Sequence, residues 1–141
     1  MGKTSGCILC AIARHEADAA ILYESDSVIA MLDLYPATRG HTLVLPKNHI
    51  RTVFDMPAKT GAEIMKTAIL LSNAIQRGLH PDGLNLIQSN GLAGGQTIDH
   101  FHLHIVPRYK DDGVVLKFGH GSQAAEPGEL SRAAASIRQN L

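Results

Sequence analysis

The stretch from Asp99 to Pro107, "DHFHLHIVP", interleaves His100, His102 and His104 with Phe101, Leu103 and Ile105. Successive side chains on a strand point to opposite faces, so this period of two predicts a strand with two chemically different sides. His100, His102 and His104 would share one face, each about 6.6–6.8 Å along from the last at the usual strand rise. Phe101, Leu103 and Ile105 would fill the other face, against a core. A row of imidazoles is costly to bury without partners. The histidine face therefore serves as a solvated polar surface, as a metal chelate, or as a catalytic site, where neutral imidazole is a good nucleophile or general base near neutral pH.

The rest of the chain supplies the partners of that strand. "AILYES" (20–25) and "SVIAMLDL" (27–34) are apolar-rich runs separated by the polar Ser25-Asp26, which reads as a hairpin. "YPATRG" is a loop with Pro36 and Gly40, and "HTLVLPK" (41–47) is a third strand closed by Pro46. Ile64, Ala68, Leu71 and Ile75 are spaced by four, three and four, one apolar face of a helix over about 58–77. Thr60 with Glu63 offers a capping box for its start, and Asp55 before Pro57 an equally good signal. "HPDG" is a turn, "LNLIQS" (84–89) a fourth strand and "NGLAGG" (90–95) a flexible loop. "CAIARHEADAA" (10–20) suggests a short helix, and the Ala-rich tail from about 128 another. Five strands and one long central helix, not strictly alternating, predict an α+β fold with an antiparallel sheet. With no repeat or low-complexity linker, residues 1–141 read as a single domain.

The 141 residues carry 13 Lys plus Arg against 13 Asp plus Glu, so the basic excess that would argue for nucleic acid or a membrane surface is missing. No apolar run reaches the roughly 18 residues of a membrane span, and the first residues lack the pattern of a signal peptide. The expectation is a soluble, cytoplasmic protein. "MGKTSG" begins like a myristoylation signal at Gly2, with no second anchoring signal. Cys7 and Cys10 form a lone C-x-x-C, better read as a metal half-site or a redox pair than as a disulfide framework.

"HFHLHIV" with "GGQT" ahead of it, "HTLVLPKNH" upstream and "CILC" near the start resembles the histidine triad family, in its bacterial nucleotide-hydrolase branch. The resemblance runs from about Cys7 to Arg108. It implies a five-stranded sheet per protomer, joined to a second sheet in a homodimer. It implies nucleotide hydrolysis or transfer at the α-phosphorus of purine nucleoside 5′-phosphate derivatives, such as phosphoramidates or dinucleoside polyphosphates. His102 would be the nucleophile, one ring nitrogen free and the other held by a backbone carbonyl. His104 and His41 would face the phosphate. Gly95, Gln96 and Thr97 would contact the phosphate or leaving group. Asp33 would bind the ribose hydroxyls, and Leu9, Ile12 and Leu34 would line the purine pocket. The alternative is a nucleotide-binding interaction protein with incidental turnover.

Two departures from the pattern matter. Ser89 stands where relatives commonly have Asn, with Asn90 adjacent to take over a phosphate contact, and Ala17 shortens one wall of the base pocket. In bacterial relatives with the C-x-x-C, the other two ligands of a structural zinc are histidines matching His49 and His100. The resemblance thus implies a Cys7, Cys10, His49, His100 zinc site. A redox pair and two reduced thiols without metal are the alternatives.

Overall fold

Strand β1 (Ile21–Glu24) turns through Ser25–Ser27 into β2 (Val28–Leu32), the expected hairpin. Ser25 caps the turn: its hydroxyl accepts from Val28 N at 3.1 Å. The computed structural model describes residues 6–116 and 124–141; the myristoylation-like start at Gly2 lies outside the described residues. Strands β3 (Thr42–Pro46), β4 (Gly83–Gln88) and β5 (Leu103–Arg108) complete one sheet, order β1-β2-β3-β5-β4. Every neighbouring pair is antiparallel.

The long helix α2 (Ala58–Leu79) buries Ile64, Ala68, Leu71 and Ile75, the predicted face, against Val28, Ala30 and Val44 of the sheet. Phe101, Leu103 and Ile105 join this cluster, as their alternation required. The opposite sheet face carries a smaller core. Leu9, Ile12 and Ala13 of helix α1 (Ile8–Ala13) pack there on Ile29, Met31, Leu43 and Leu45. The tail helix α3 (Pro127–Arg138) buries none of its residues.

Three expectations need correction. Helix α1 starts inside the C-x-x-C instead of after it, because Cys7 is its N-cap and the Cys7 sulfur accepts from Cys10 N at 3.4 Å. The Thr60–Glu63 capping box does not form: α2 is entered from Pro57 with no side-chain cap, and Asp55 belongs to a preceding 3-10 turn, Val53–Asp55. The histidine strand begins at Leu103, not Asp99, since Phe101 N donates to Ile50 O at 2.7 Å, outside the ladder. His100 and His102 therefore sit on a stem leading into β5. Gly40 anchors the loop before β3: its φ is +88°, and a Cβ there would collide with the Leu79 side chain.

Candidate active site

Four side chains converge where β5 meets β3. His104 pairs with Leu43 across the ladder, and its ring centroid lies 4.8 Å from His102 and 5.1 Å from His41. The hydrogen bonds determine which ring nitrogens carry protons. The His102 Nδ1–H donates to His100 O at 2.7 Å, which leaves Nε2 with a free lone pair. Ala37 N donates to His41 Nδ1 at 2.9 Å, so the His41 proton is on Nε2 and is donated to His104 Nδ1 at 2.9 Å. The His104 proton is then on its own Nε2, available to an acceptor. Asp33 Oδ2 stands 3.6 Å from His41 Nε2, and Asp33 Oδ1 accepts from Tyr35 N at 2.9 Å. The site thus combines a lone-pair nitrogen on His102 with a donor on His104.

Burial keeps this relay neutral. Lost solvation, then the neighbouring His102 and His41, lower His104 to about 4 from its ordinary 6.5, against a smaller opposing pull from Asp33. His41 is lowered as well, chiefly by burial. A ring that resists protonation when folded but takes a proton near 6.5 when unfolded contributes stability that is complete above that pH. For His104 that contribution is lost as pH falls from 6.5 toward about 4. Ring-carbon NMR is expected to place the His104 titration midpoint near 4; a midpoint at the ordinary 6.5 would contradict the relay.

Beside these histidines, on the α1 side of the sheet, lies a mainly apolar cleft of about 470 Å³. Leu9, Ile12, Asp33 and Leu34 line it, as does Ile98. Leu34 is 83% exposed at its mouth. Ala17 packs into the smaller core instead, while Asp18 and Ala19 form the cleft wall. Met31, Leu43 and Ile98 were missed from sequence. The alternation of β2 and β3 could have given Met31 and Leu43, which share the α1-side core with Ile29 and Leu45, but no sequence signal marks Ile98.

The loop after β4 turns at Gly91 and Gly95, whose φ values are +73° and +85°. Thr97 is exposed, whereas Gln96 is buried. Within the protein, Asn90 Oδ1 accepts from Val53 N at 2.7 Å, and Gln96 Nε2 donates to Arg51 O at 2.7 Å. Both amides are therefore engaged by the protein.

Cys7, Cys10, His49 and His100 form a second cluster, their ligand atoms all within 4.8 Å of one another. His100 Nε2 donates to Pro46 O at 2.8 Å, which leaves Nδ1 facing both sulfurs at 3.4 Å. His49 Nδ1 lies 3.2 Å from the Cys10 sulfur. Tetrahedral zinc with bonds of about 2.0–2.3 Å needs ligands about 3.3–3.8 Å apart, and two sulfurs with two imidazoles are a closed structural set. These residues can hold a metal ion. His100 faces this cluster, while His102 and His104 face each other, so the triad is divided between two neighbouring groups.

The HIT domain family profile matches residues 14–111. Adenylylsulfatase HINT3 of Arabidopsis thaliana is 40% identical over 106 residues, 75% of this chain and 54% of that protein. A solved HIT family protein from Bacillus subtilis shares 34% identity over 97% of this chain and 98% of its own, with a TM-score of 0.87. A zinc-bound histidine triad family protein from Mycobacterium smegmatis shares 34% identity over 96% of this chain and 98% of its own, with a TM-score of 0.74. With that match, and the histidines arranged as described, the chain belongs to the histidine triad (HIT) family.

Proposed function

We propose that this protein hydrolyses purine nucleoside 5′-phosphate derivatives, phosphoramidates or dinucleoside polyphosphates, by nucleotidyl transfer through His102. The observation that carries the reading is the 2.7 Å bond from His102 Nδ1 to His100 O, which turns an unprotonated Nε2 into a candidate nucleophile. In the first step Nε2 bonds to the α-phosphorus and the bond to the leaving group breaks; an amine leaves with a proton taken from solvent, a nucleotide as its anion. In the second step water attacks the same phosphorus, its proton passes to solvent, the phosphorus–nitrogen bond breaks, and a nucleoside monophosphate leaves. A covalent intermediate divides one slow displacement of an anionic phosphoryl group into two easier ones.

In this reading the His104 Nε2–H donates to phosphate oxygens as charge develops, with His41 behind it. Gly95, Thr97 and neighbouring backbone face the phosphate. The base occupies the apolar cleft between Leu9, Ile12 and Leu34, a lining typical of small-molecule pockets. Asp33 accepts from the ribose hydroxyls. Zinc on Cys7, Cys10, His49 and His100 supplies a structural cross-link, consistent with the donor set and with the zinc-bound relative. The β4 edge, which lies at one end of the sheet, is the natural seam for a homodimer.

Among the described residues no helix is long and apolar enough to cross a membrane. The decisive test of function is a panel of adenosine phosphoramidate, diadenosine polyphosphates and nucleotidyl sugars. Multiple-turnover release of AMP from at least one of the first two classes is expected. Tight binding without turnover of any of them would instead favour a nucleotide-binding interaction protein.

A further inference from the structure

The carboxamide of Gln96 is buried, and the protein uses its carbonyl and its amide alike. Its Oε1 accepts from Gly91 N at 2.8 Å, while Gln96 N donates to Gly91 O at 3.1 Å, so side chain and backbone together clasp the two ends of the 91–96 loop. Its Nε2 donates to Arg51 O at 2.7 Å and to Ile98 O at 3.0 Å. One side chain therefore closes the loop, docks it on the segment after β3, and ties it to the stem that carries the histidines. Inside the clasp, among the described residues, the loop is held by just two backbone bonds, Gly94 N to Gly91 O and Gly95 N to Leu92 O. Its glycines have open space around them, so side-chain packing does not fix its shape. The docked segment is itself part of the site's frame: Ile50 O accepts from Phe101 N, and Val53 N donates to Asn90.

We infer that Gln96 is a positioning residue that shapes the glycine-rich loop and aligns its backbone with His102, and that it does not itself contact the substrate. Turning the amide toward a phosphate or leaving group would break both bonds made by the buried Gln96 amide and strip the Arg51 and Ile98 carbonyls of this donor, an unfavourable exchange. The inference rests on the reading of this loop as the phosphate cradle. It replaces a direct role for the Gln96 amide with an indirect one, exerted on every substrate alike.

The test compares wild type with Gln96→Ala and the equal-sized Gln96→Glu in three measurements. The first is hydrogen exchange on the ligand-free protein. Faster exchange confined to residues 89–98, with α2 unchanged, is expected. The second is binding of AMP, which has no leaving group. It is expected to weaken by about tenfold to a hundredfold, the worth of one or two hydrogen bonds. The third is kcat/KM, expected to fall by one common factor for adenosine phosphoramidate and diadenosine polyphosphate. Unchanged loop exchange with wild-type AMP binding and a loss that depends on the leaving group would overturn the inference, since Gln96 would then act on the leaving group directly. Acceleration spread evenly through α2 would overturn it too, by reducing Gln96 to a general stability role. Hydrogen exchange needs no turnover, so a wild type that hydrolyses nothing would refute the enzymatic reading while leaving the loop test intact.

Discussion

His102→Ala is expected to lower turnover by at least about 10²–10⁴, the range lost when acid–base help alone is removed, because it deletes the proposed covalent nucleophile. Nucleotide binding should persist, since the apolar cleft and Asp33 are untouched. The fold should persist as well. His102 is buried, but among the described residues its ring hydrogen-bonds only to a backbone carbonyl two residues away and bridges no two elements. His102→Asn, which keeps a polar group near His100 O, should be equally inactive with a smaller effect on melting. Steady-state assays beside a thermal melt and AMP titration separate these quantities. More than about a tenth of wild-type activity in either variant would be incompatible with a nucleophile, given that range.

Removing the metal is expected to produce the largest change in stability. Structural zinc in small peptides is worth about 10–16 kcal/mol of apparent binding free energy, and with zinc on the proposed site a share of such a term would become folding free energy. The four candidate ligands come from the N-cap and first turn of α1, the chain after β3 and the stem before β5, so a metal would cross-link three segments distant in sequence. Purified protein should carry one zinc per chain, and chelation should lower the melting temperature. Burial pushes the Cys7 thiol above its ordinary value, and metal binding must displace that proton, so affinity should fall on acidification. Cys7→Ser and His100→Ala should lose metal and stability alike. His100→Ala removes a ligand but keeps the backbone carbonyl that holds His102, so it should not reproduce the chemical defect of His102→Ala. Zinc-free protein by elemental analysis, with two freely titrating thiols, would eliminate the site.

What could be read in the sequence follows from how local each determinant is. The α2 face at 64, 68, 71 and 75 and the hairpin around Ser25 are set by periodicity and a polar turn, and both form as expected. Phe101, Leu103 and Ile105 reach the core because the alternation of side chains survives even where the ladder does not. The start of β5 was illegible, because it depends on Phe101 N finding Ile50 O, a partner 51 positions earlier in the chain (101 − 50). The start of α1 was obscured in a similar way, since Cys7 reads as a ligand and also serves as a cap. The histidines, Asp33 and the cysteine pair could be nominated from residue type and spacing. The engagement of Asn90 by Val53 and of Gln96 by Arg51 could not, since both depend on how the loop folds back on the segment after β3.

The most direct measurement is the intact mass of the protein, quenched during turnover of an adenosine 5′-phosphate derivative and followed by peptide mapping. Nucleotidyl transfer predicts a population heavier by one adenylyl group, mapped to His102 and missing from His102→Ala. Full turnover with no adduct under conditions that slow the second step, or an adduct on any other residue, would contradict a nucleophilic His102.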